Sequence, residues 1–275
     1  MKKILITNDD GIFAEGIQTL AKAFHAAGYE VLAVELLEQH IHAPDRERSA
    51  SGHSMTMDRP LQIKKIENKM LADGFTAYSC DGTPTDCVIM GIDVLHFVPD
   101  LVLSGINCGP NLGDDLTYSG TACAAMEGLI FGYPSVAVSL VCGSTSPEKH
   151  FDTAAETALQ TARWLAGHPL PEGVMYNVNV PNERLADIAG VRLTRKGKRR
   201  YHDKITVVRT PFGGEAYWVG GSIHDELHED TDVRAVAHKY VSVTPVHLEM
   251  TSFDSYNAAK ETAIEAEIYR GMKSE

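Results

Sequence analysis

No stretch of about eighteen consecutive apolar residues occurs in this sequence of 275 residues, so no segment reads as a membrane span. The chain starts directly in strand-type sequence, without a signal-type apolar stretch. Its five cysteines (Cys80, Cys87, Cys108, Cys123 and Cys142) are odd in number and form no CxxC pair, which argues against a disulfide framework or a zinc knuckle. A reducing, cytoplasmic location is therefore expected. Twelve histidines are present, yet no HExxH pairing occurs. The absence of a GxSxG elbow disfavours a serine hydrolase, and that of GxxxxGK[ST] a P-loop nucleotidase. Basic residues are scarce, 25 against 37 acidic for a formal charge of −12. That balance argues against a general grip on duplex nucleic acid and for small-molecule partners, with no specific nucleic acid and no membrane expected. A bound cation would help such a chain hold an anionic substrate.

What the sequence does contain begins at its start. The apolar run KKILIT (residues 2 to 7) stops at NDDG (residues 8 to 11). A run of this kind reads as a buried parallel strand, and open α/β sheets bind ligands beyond the carboxyl ends of such strands. Asp9 and Asp10 therefore stand where chemistry is done. Successive strand side chains point to opposite faces, so both carboxylates can meet one ion only if the backbone turns, which Gly11 permits. The competing reading is that Asn8, Asp9 and Asp10 cap the helix that follows.

That helix is FAEGIQTLAKAFHAAG, with Ile17, Leu20, Ala21 and Phe24 at helical spacing. Further strands are expected at 29–34, 101–106, 135–141 and 176–181, and helices at 121–132 and 152–166. Alternation of this kind predicts an α/β fold, a Rossmann-like, doubly wound, mostly parallel sheet. Beyond residue 182 the composition changes. A basic run RKGKRR (195–200), two strands around a Gly-rich turn, an acidic patch HDELHEDTD (224–232) and the strand YVSVTPV follow. We expect a core over 1–182, then a protruding β segment and a terminal helix over 183–275, serving oligomerisation. Ile264, Ile268 and Met272 mark one face of that helix, for core packing or for a subunit interface. A basic cluster in an acidic protein reads as a solvated face. No internal repeat or low-complexity linker occurs.

Three other segments carry candidate chemistry. In SGINCGPNLGDDLTYSGTACAAMEG (104–128) a buried strand runs into a loop rich in glycine and asparagine, then a helix. Asn107 and Asn111 offer amide oxygens to a cation or amide hydrogens to a phosphate. Ser119, Gly120 and Thr121 open the helix, either as a phosphate cradle or as an ordinary cap. Asp114 and Asp115 read as a solvated turn. DRERSASGHS (45–54) brings Arg46, Arg48, Ser49, Ser51 and His53 into one loop, suited to phosphate or simply solvated. DGTPTDCV (81–88) fits a turn and a capped helix. Gathered at one sheet edge, the candidate ligands are all oxygens, which suits magnesium, manganese or calcium and not zinc.

Taken together, TNDDGI, APDRERSASGHS, DGTPTDC and SGINCGPNLGDDLTYSGT followed by AAMEG resemble the SurE survival-protein family of nucleotidases. AYWVGG and DTDVRAVAHKYVSVTPVHLEMT resemble that family's C-terminal portion, so the likeness runs to about residue 251. The resemblance implies a metal-dependent phosphomonoesterase acting on nucleoside 5′- and 3′-monophosphates, with slower attack on short polyphosphate. It implies one divalent ion per subunit, Mg2+ or Mn2+ with Ca2+ as an alternative occupant, held by Asp9, Asp10, Ser49 and Asn107. It implies substrate contacts at Asn111, Ser119, Gly120 and Thr121, and a homodimer or homotetramer formed through the C-terminal segment. Two features depart from the family pattern. ELLEQHIH (35–42) intervenes between VLAV and APDR, upstream of Ser49, and Lys239 stands where the family often has glycine.

The expected mechanism is in-line attack of a cation-activated water on phosphorus, with Asp9, Asp10, Asn111, Ser119 and Thr121 as the catalytic set. A phosphoaspartate route is disfavoured, because its familiar form uses DxD where this chain has DD. The alternative from another class is a non-catalytic nucleotide- or metal-binding sensor.

Overall fold

The computed structural model describes residues 1–36, 52–67, 75–143, 145–210 and 213–273. The first strand, β1 (Lys3–Thr7), leads to helix α1 (Glu15–Ala26) and strand β2 (Glu30–Leu36). Two short strands, β3 (Ile63–Lys65) and β4 (Thr76–Cys80), precede α2 (Pro84–Ile89) and a π-helical turn, Met90–Val94. Strand β5 (Leu101–Cys108) then runs through a 3₁₀ turn at Gly113–Thr117 into α3 (Gly120–Ile130). After these come β6 (Ser135–Val141), α4 (Phe151–Leu165) and β7 (Val174–Pro181). The remainder holds β8 (Gly190–Leu193), β9 (Arg199–Arg209), β10 (Glu215–Asp225), α5 (Asp232–Ala237), β11 (Tyr240–His247), α6 (Phe253–Lys260) and α7 (Ile264–Met272).

Among the described residues, nine strands share one sheet in the order β3-β4-β2-β1-β5-β6-β7-β11-β8. From β4 through β7 neighbours run parallel, while β3 and β11 pair antiparallel at either side. This is the expected doubly wound α/β sheet. The alternation along β1 shows how it is covered. Ile4 and Ile6 face a core shared with Phe24 of α1 and Ala158 of α4. Leu5 faces the opposite side, against Val88 of α2 and Ala124 of α3. Both faces are buried, so the strand carries a near-continuous apolar run instead of an alternating one.

Strands β8 and β11 lie beyond residue 182 and yet belong to this sheet, so the expected division does not coincide with an edge of the sheet. What leaves the sheet is the two-stranded ribbon of β9 and β10 together with α6 and α7. The single terminal helix expected from sequence is two helices, broken at Ala263, whose φ is +52°. Their apolar stripe is not core: Ile264, Ile268 and Met272 are all exposed, because no described part of this chain covers them. Lys239 has φ +63°, a left-handed conformation in which glycine is at ease and lysine is strained. No described helix is long and apolar enough to cross a membrane.

Candidate active site

At the carboxyl end of β1 the chain turns at Gly11, whose φ of +94° is closed to most side chains. The residue at the N-cap of α1 is Ala14, with no side-chain cap bond. Asn8, Asp9 and Asp10 therefore do not cap that helix, and the capping alternative falls. Their side chains build a network across two strands instead. The buried amide of Asn8 donates through Nδ2 to Asp10 Oδ2 at 3.1 Å and to the Ile106 carbonyl at 3.2 Å. Asp10 Oδ2 also accepts from the backbone N–H of Cys108 at 3.0 Å, which ties β1 to the end of β5. Asp9 accepts the Thr121 hydroxyl at 2.7 Å, which ties β1 to the first turn of α3.

Ser119 caps α3, its Oγ accepting from Ala122 N at 3.0 Å. Cap and cradle are thus not exclusive, since the Ser119 hydroxyl hydrogen and the first amides of the helix remain to meet an anion. Gly120 is needed for close approach. A Cβ there would stand 3.1 Å from Asp9 Oδ2 and 3.3 Å from Pro84 Cγ. Burial and the neighbouring Asp10 charge push the Asp9 carboxyl up to about 6, partly offset by the Thr121 hydrogen bond. Among the described residues no cationic side chain pairs with either aspartate.

Asn107 Nδ2 donates to the Gly109 carbonyl at 3.0 Å, so its oxygen is the end left to meet a ligand. No cluster of three His, Cys, Asp or Glu occurs among the described residues. The donors present are two carboxylates and neutral oxygens, a set that fits a hard cation better than zinc. Asn111 is held from every side. Its N–H donates to Asn179 Oδ1 at 2.9 Å, its Nδ2 to Ser139 Oγ at 2.7 Å, and its carbonyl accepts from Asn177 and Asn179. Its second Nδ2 hydrogen has no protein partner among the described residues.

Ser49 lies outside the described residues, as do Arg46, Arg48, Ser51 and residues 37–42 of the intervening stretch. The chain beyond Ser51 is pinned beside α3. Gly52 N donates to the Tyr118 carbonyl at 3.1 Å, and the Thr83 hydroxyl to the Ser54 carbonyl at 2.7 Å. His53, an exposed residue, meets buried Glu127 of α3 at 2.8 Å, so this surface side chain has a fixed partner. DGTPTDC is scaffold: Thr83 and Asp86 form a reciprocal capping box on α2.

Two sequence expectations are corrected here. Asp115 does not lie in a solvated turn, although Asp114 beside it is half-exposed, and RKGKRR is not merely a solvated face. Arg199, only 8 % exposed, spans Asp115 at 2.9 Å and Asp225 at 2.7 Å, and Lys196 pairs with Asp114. Asp232 accepts from Gly113 N at 2.9 Å and Gly197 N at 2.7 Å. The base of the β9–β10 ribbon is thereby bolted to the turn that leads into Ser119.

The sequence reading missed Ser139, Asn177, Asn179 and Glu35. Asn177 and Asn179 left a signal, polar residues at alternate positions of the apolar strand YNVNVP. Glu35 left a weaker one, a carboxylate ending an apolar strand, and its side chain is fully buried with burial pushing its carboxyl well above the usual range.

Comparison with known proteins shows the family and the fold. A family model described as "Survival protein SurE" matches residues 4–203. A 5′-nucleotidase SurE from Pelobacter propionicus is 46% identical over 254 residues, 92% of this chain and 96% of that protein. A 5′/3′-nucleotidase SurE from Proteus mirabilis is 44% identical over 273 residues, 98% of each chain. The crystal structure of a Sure protein from Aquifex aeolicus superposes with TM-score 0.77 at 38% identity, covering 94% of this chain and 99% of that one.

Proposed function

The chain belongs to the SurE survival-protein family, and on that footing we propose that it is a 5′-nucleotidase, a phosphoric monoester hydrolase. It releases nucleoside and phosphate from nucleoside 5′-monophosphates, with 3′-monophosphates and short polyphosphate as further substrates. The observation that carries this reading is the pair Asp9 and Asp10, free of any cationic partner among the described residues and abutting the N-terminus of α3.

Asp9, Asp10 and the Asn107 oxygen, with Ser49 from the family resemblance, would hold one Mg2+ or Mn2+. When bound, such an ion supplies Lewis-acid polarisation of the phosphoryl group and a more acidic water for attack. The chain's own residues do the positioning. Thr121 fixes Asp9 through its hydroxyl, and the Cys108 N–H fixes Asp10. The α3 amides, the Ser119 hydroxyl and the remaining Asn111 hydrogen face the oxygens on which charge spreads during transfer. Because these donors are already oriented, little reorganisation is needed as the charge develops.

The exposed apolar side chains of the ribbon, such as Ile205 and Trp218, and those of α7 support association into dimers or tetramers. A cytoplasmic location is part of the same reading.

The test is a metal-resolved panel of nucleoside monophosphates on the purified protein, with phosphate release as readout. Turnover that needs Mg2+ or Mn2+ and stops on chelation is expected. Nucleotide or metal binding without turnover across the panel would replace this reading with the sensor alternative.

A further inference from the structure

Two of the cysteines stand beside the acidic pair. Cys108 closes β5 and Cys142 follows β6, with their Sγ atoms 3.2 Å apart. The backbone holds them in place, since Gly109 N at 3.0 Å and Cys142 N at 2.9 Å both donate to the Leu140 carbonyl. Cys108 is half-buried and open to a small reagent, whereas Cys80, Cys87 and Cys123 are buried. The Lys149 ammonium lies next to the Cys108 sulfur. Cys108 also follows Asn107 directly, and its own N–H holds Asp10 Oδ2.

We propose that Cys108 and Cys142 form a thiol modification site, oxidised by hydroperoxides to a disulfide that displaces Asp10 and Asn107 and lowers turnover. The Cys108 sulfur attacks one peroxide oxygen and the O–O bond breaks. Its thiol proton leaves with the departing oxygen, as water when the reagent is hydrogen peroxide. The Cys142 sulfur then attacks the resulting sulfenic acid, the S–O bond breaks, and the hydroxyl takes the Cys142 proton to form a second water. Two thiols supply the two electrons that one peroxide consumes. A disulfide of ordinary length brings sulfurs now 3.2 Å apart roughly 1 Å closer. The Cys108 backbone carries that movement directly to Asp10.

The disulfide rests on the sulfur geometry alone, and its effect on turnover rests on the nucleotidase reading. The reduced full-length protein is treated with hydrogen peroxide, then mapped as non-reduced peptides and assayed for phosphate release with Mg2+. Expected are a Cys108–Cys142 linked peptide and turnover lowered at least about tenfold, restored by dithiothreitol. Cys142→Ser should keep basal turnover and retain it at the same peroxide dose. A missing link, a link elsewhere, or equal inactivation of Cys142→Ser overturns the proposal. If the reduced protein releases no phosphate, the nucleotidase reading fails and the linked peptide alone decides this one.

Discussion

Two pairs of aspartates in this molecule are handled in opposite ways. Asp115 and Asp225 grip the guanidinium of Arg199 from both sides, with the Tyr201 hydroxyl donating to Asp115 as well. Asp9 and Asp10 lie side by side at the end of β1, and their side-chain partners among the described residues are hydrogen-bond donors without charge, namely Asn8, Thr121 and the Cys108 N–H. The first pair is compensated by the chain itself. In the second, burial and mutual repulsion push the Asp9 carboxyl up to about 6. Evolution has no need to keep such an uncompensated pair for stability, because like charges close together in a partly buried place destabilise the fold. Compensation within the chain therefore marks scaffold, and its absence among the described residues supports the proposed cation site at Asp9 and Asp10.

The strongest way to break this contrast is to make the second pair neutral. Asp9→Asn should lower phosphate release by at least about a hundredfold, the scale on which preorganised charge contributes to such reactions. Removing one of the repelling carboxylates should leave the metal-free melting temperature unchanged or raised. Phosphate release within threefold of wild type would end the claim that Asp9 holds the activating ion.

The next largest effect belongs to the compensated pair and has the opposite signature. Arg199→Ala leaves two partly buried carboxylates without their cation, which should cost about 3 kcal/mol of stability. Thermal unfolding would register it, while manganese affinity measured by calorimetry should stay within threefold. A melting temperature unchanged by the substitution would show that the ribbon base is not held as described.

How much of this was legible in the sequence depends on the range of the signal. The β1 strand, Gly11 and the aspartates are written in consecutive residues, and the strand-then-helix rhythm through α4 and β7 follows local apolar patterns. Arg199 was misread because its partners lie at Asp115 and Asp225, far away in sequence, and nothing near it distinguishes a clamp from a solvated charge. The same holds for Asn177 and Asn179, which meet Asn111 across the sheet. At α7 the stripe left core packing and a subunit interface both open, because an amphipathic face cannot say whether its partner is its own chain. Ser49 enters as a ligand only through the family resemblance, since it lies outside the described residues.

Gly120→Ala sharpens the contrast at smaller scale. An added Cβ 3.1 Å from Asp9 Oδ2 forces that carboxylate to shift by a few tenths of an ångström. Alanine suits a helix better than glycine, by about 1 kcal/mol, so stability should not fall much. Turnover should drop roughly tenfold because geometry near the reacting group is disturbed. Steady-state kinetics beside a melting curve separates the two, and a large loss of stability without loss of turnover would contradict the role given to this approach.

Glu35 supplies a third treatment of a carboxyl group, with an effect confined to the pH dependence of stability. It is fully buried at the end of β2, with Oε1 accepting from Leu36 N at 2.8 Å and Oε2 without a partner among the described residues. Burial first, then the Asp9 and Asp10 charges, push its carboxyl well above the ordinary value of 4.5. The folded chain thus keeps a proton that the unfolded chain gives up, and the sign follows from that difference. Stability attached to Glu35 is full below its ordinary value and falls as pH rises above it, by up to about 1.4 kcal/mol per pH unit until Glu35 ionises in the folded chain. Glu35→Gln cannot ionise, so metal-free wild type and variant should melt together near pH 4 and diverge above pH 5, the variant higher. If the two curves stay parallel from acid to neutral pH, Glu35 is ionised in the fold, and the pair above it has a third negative neighbour to be neutralised from outside.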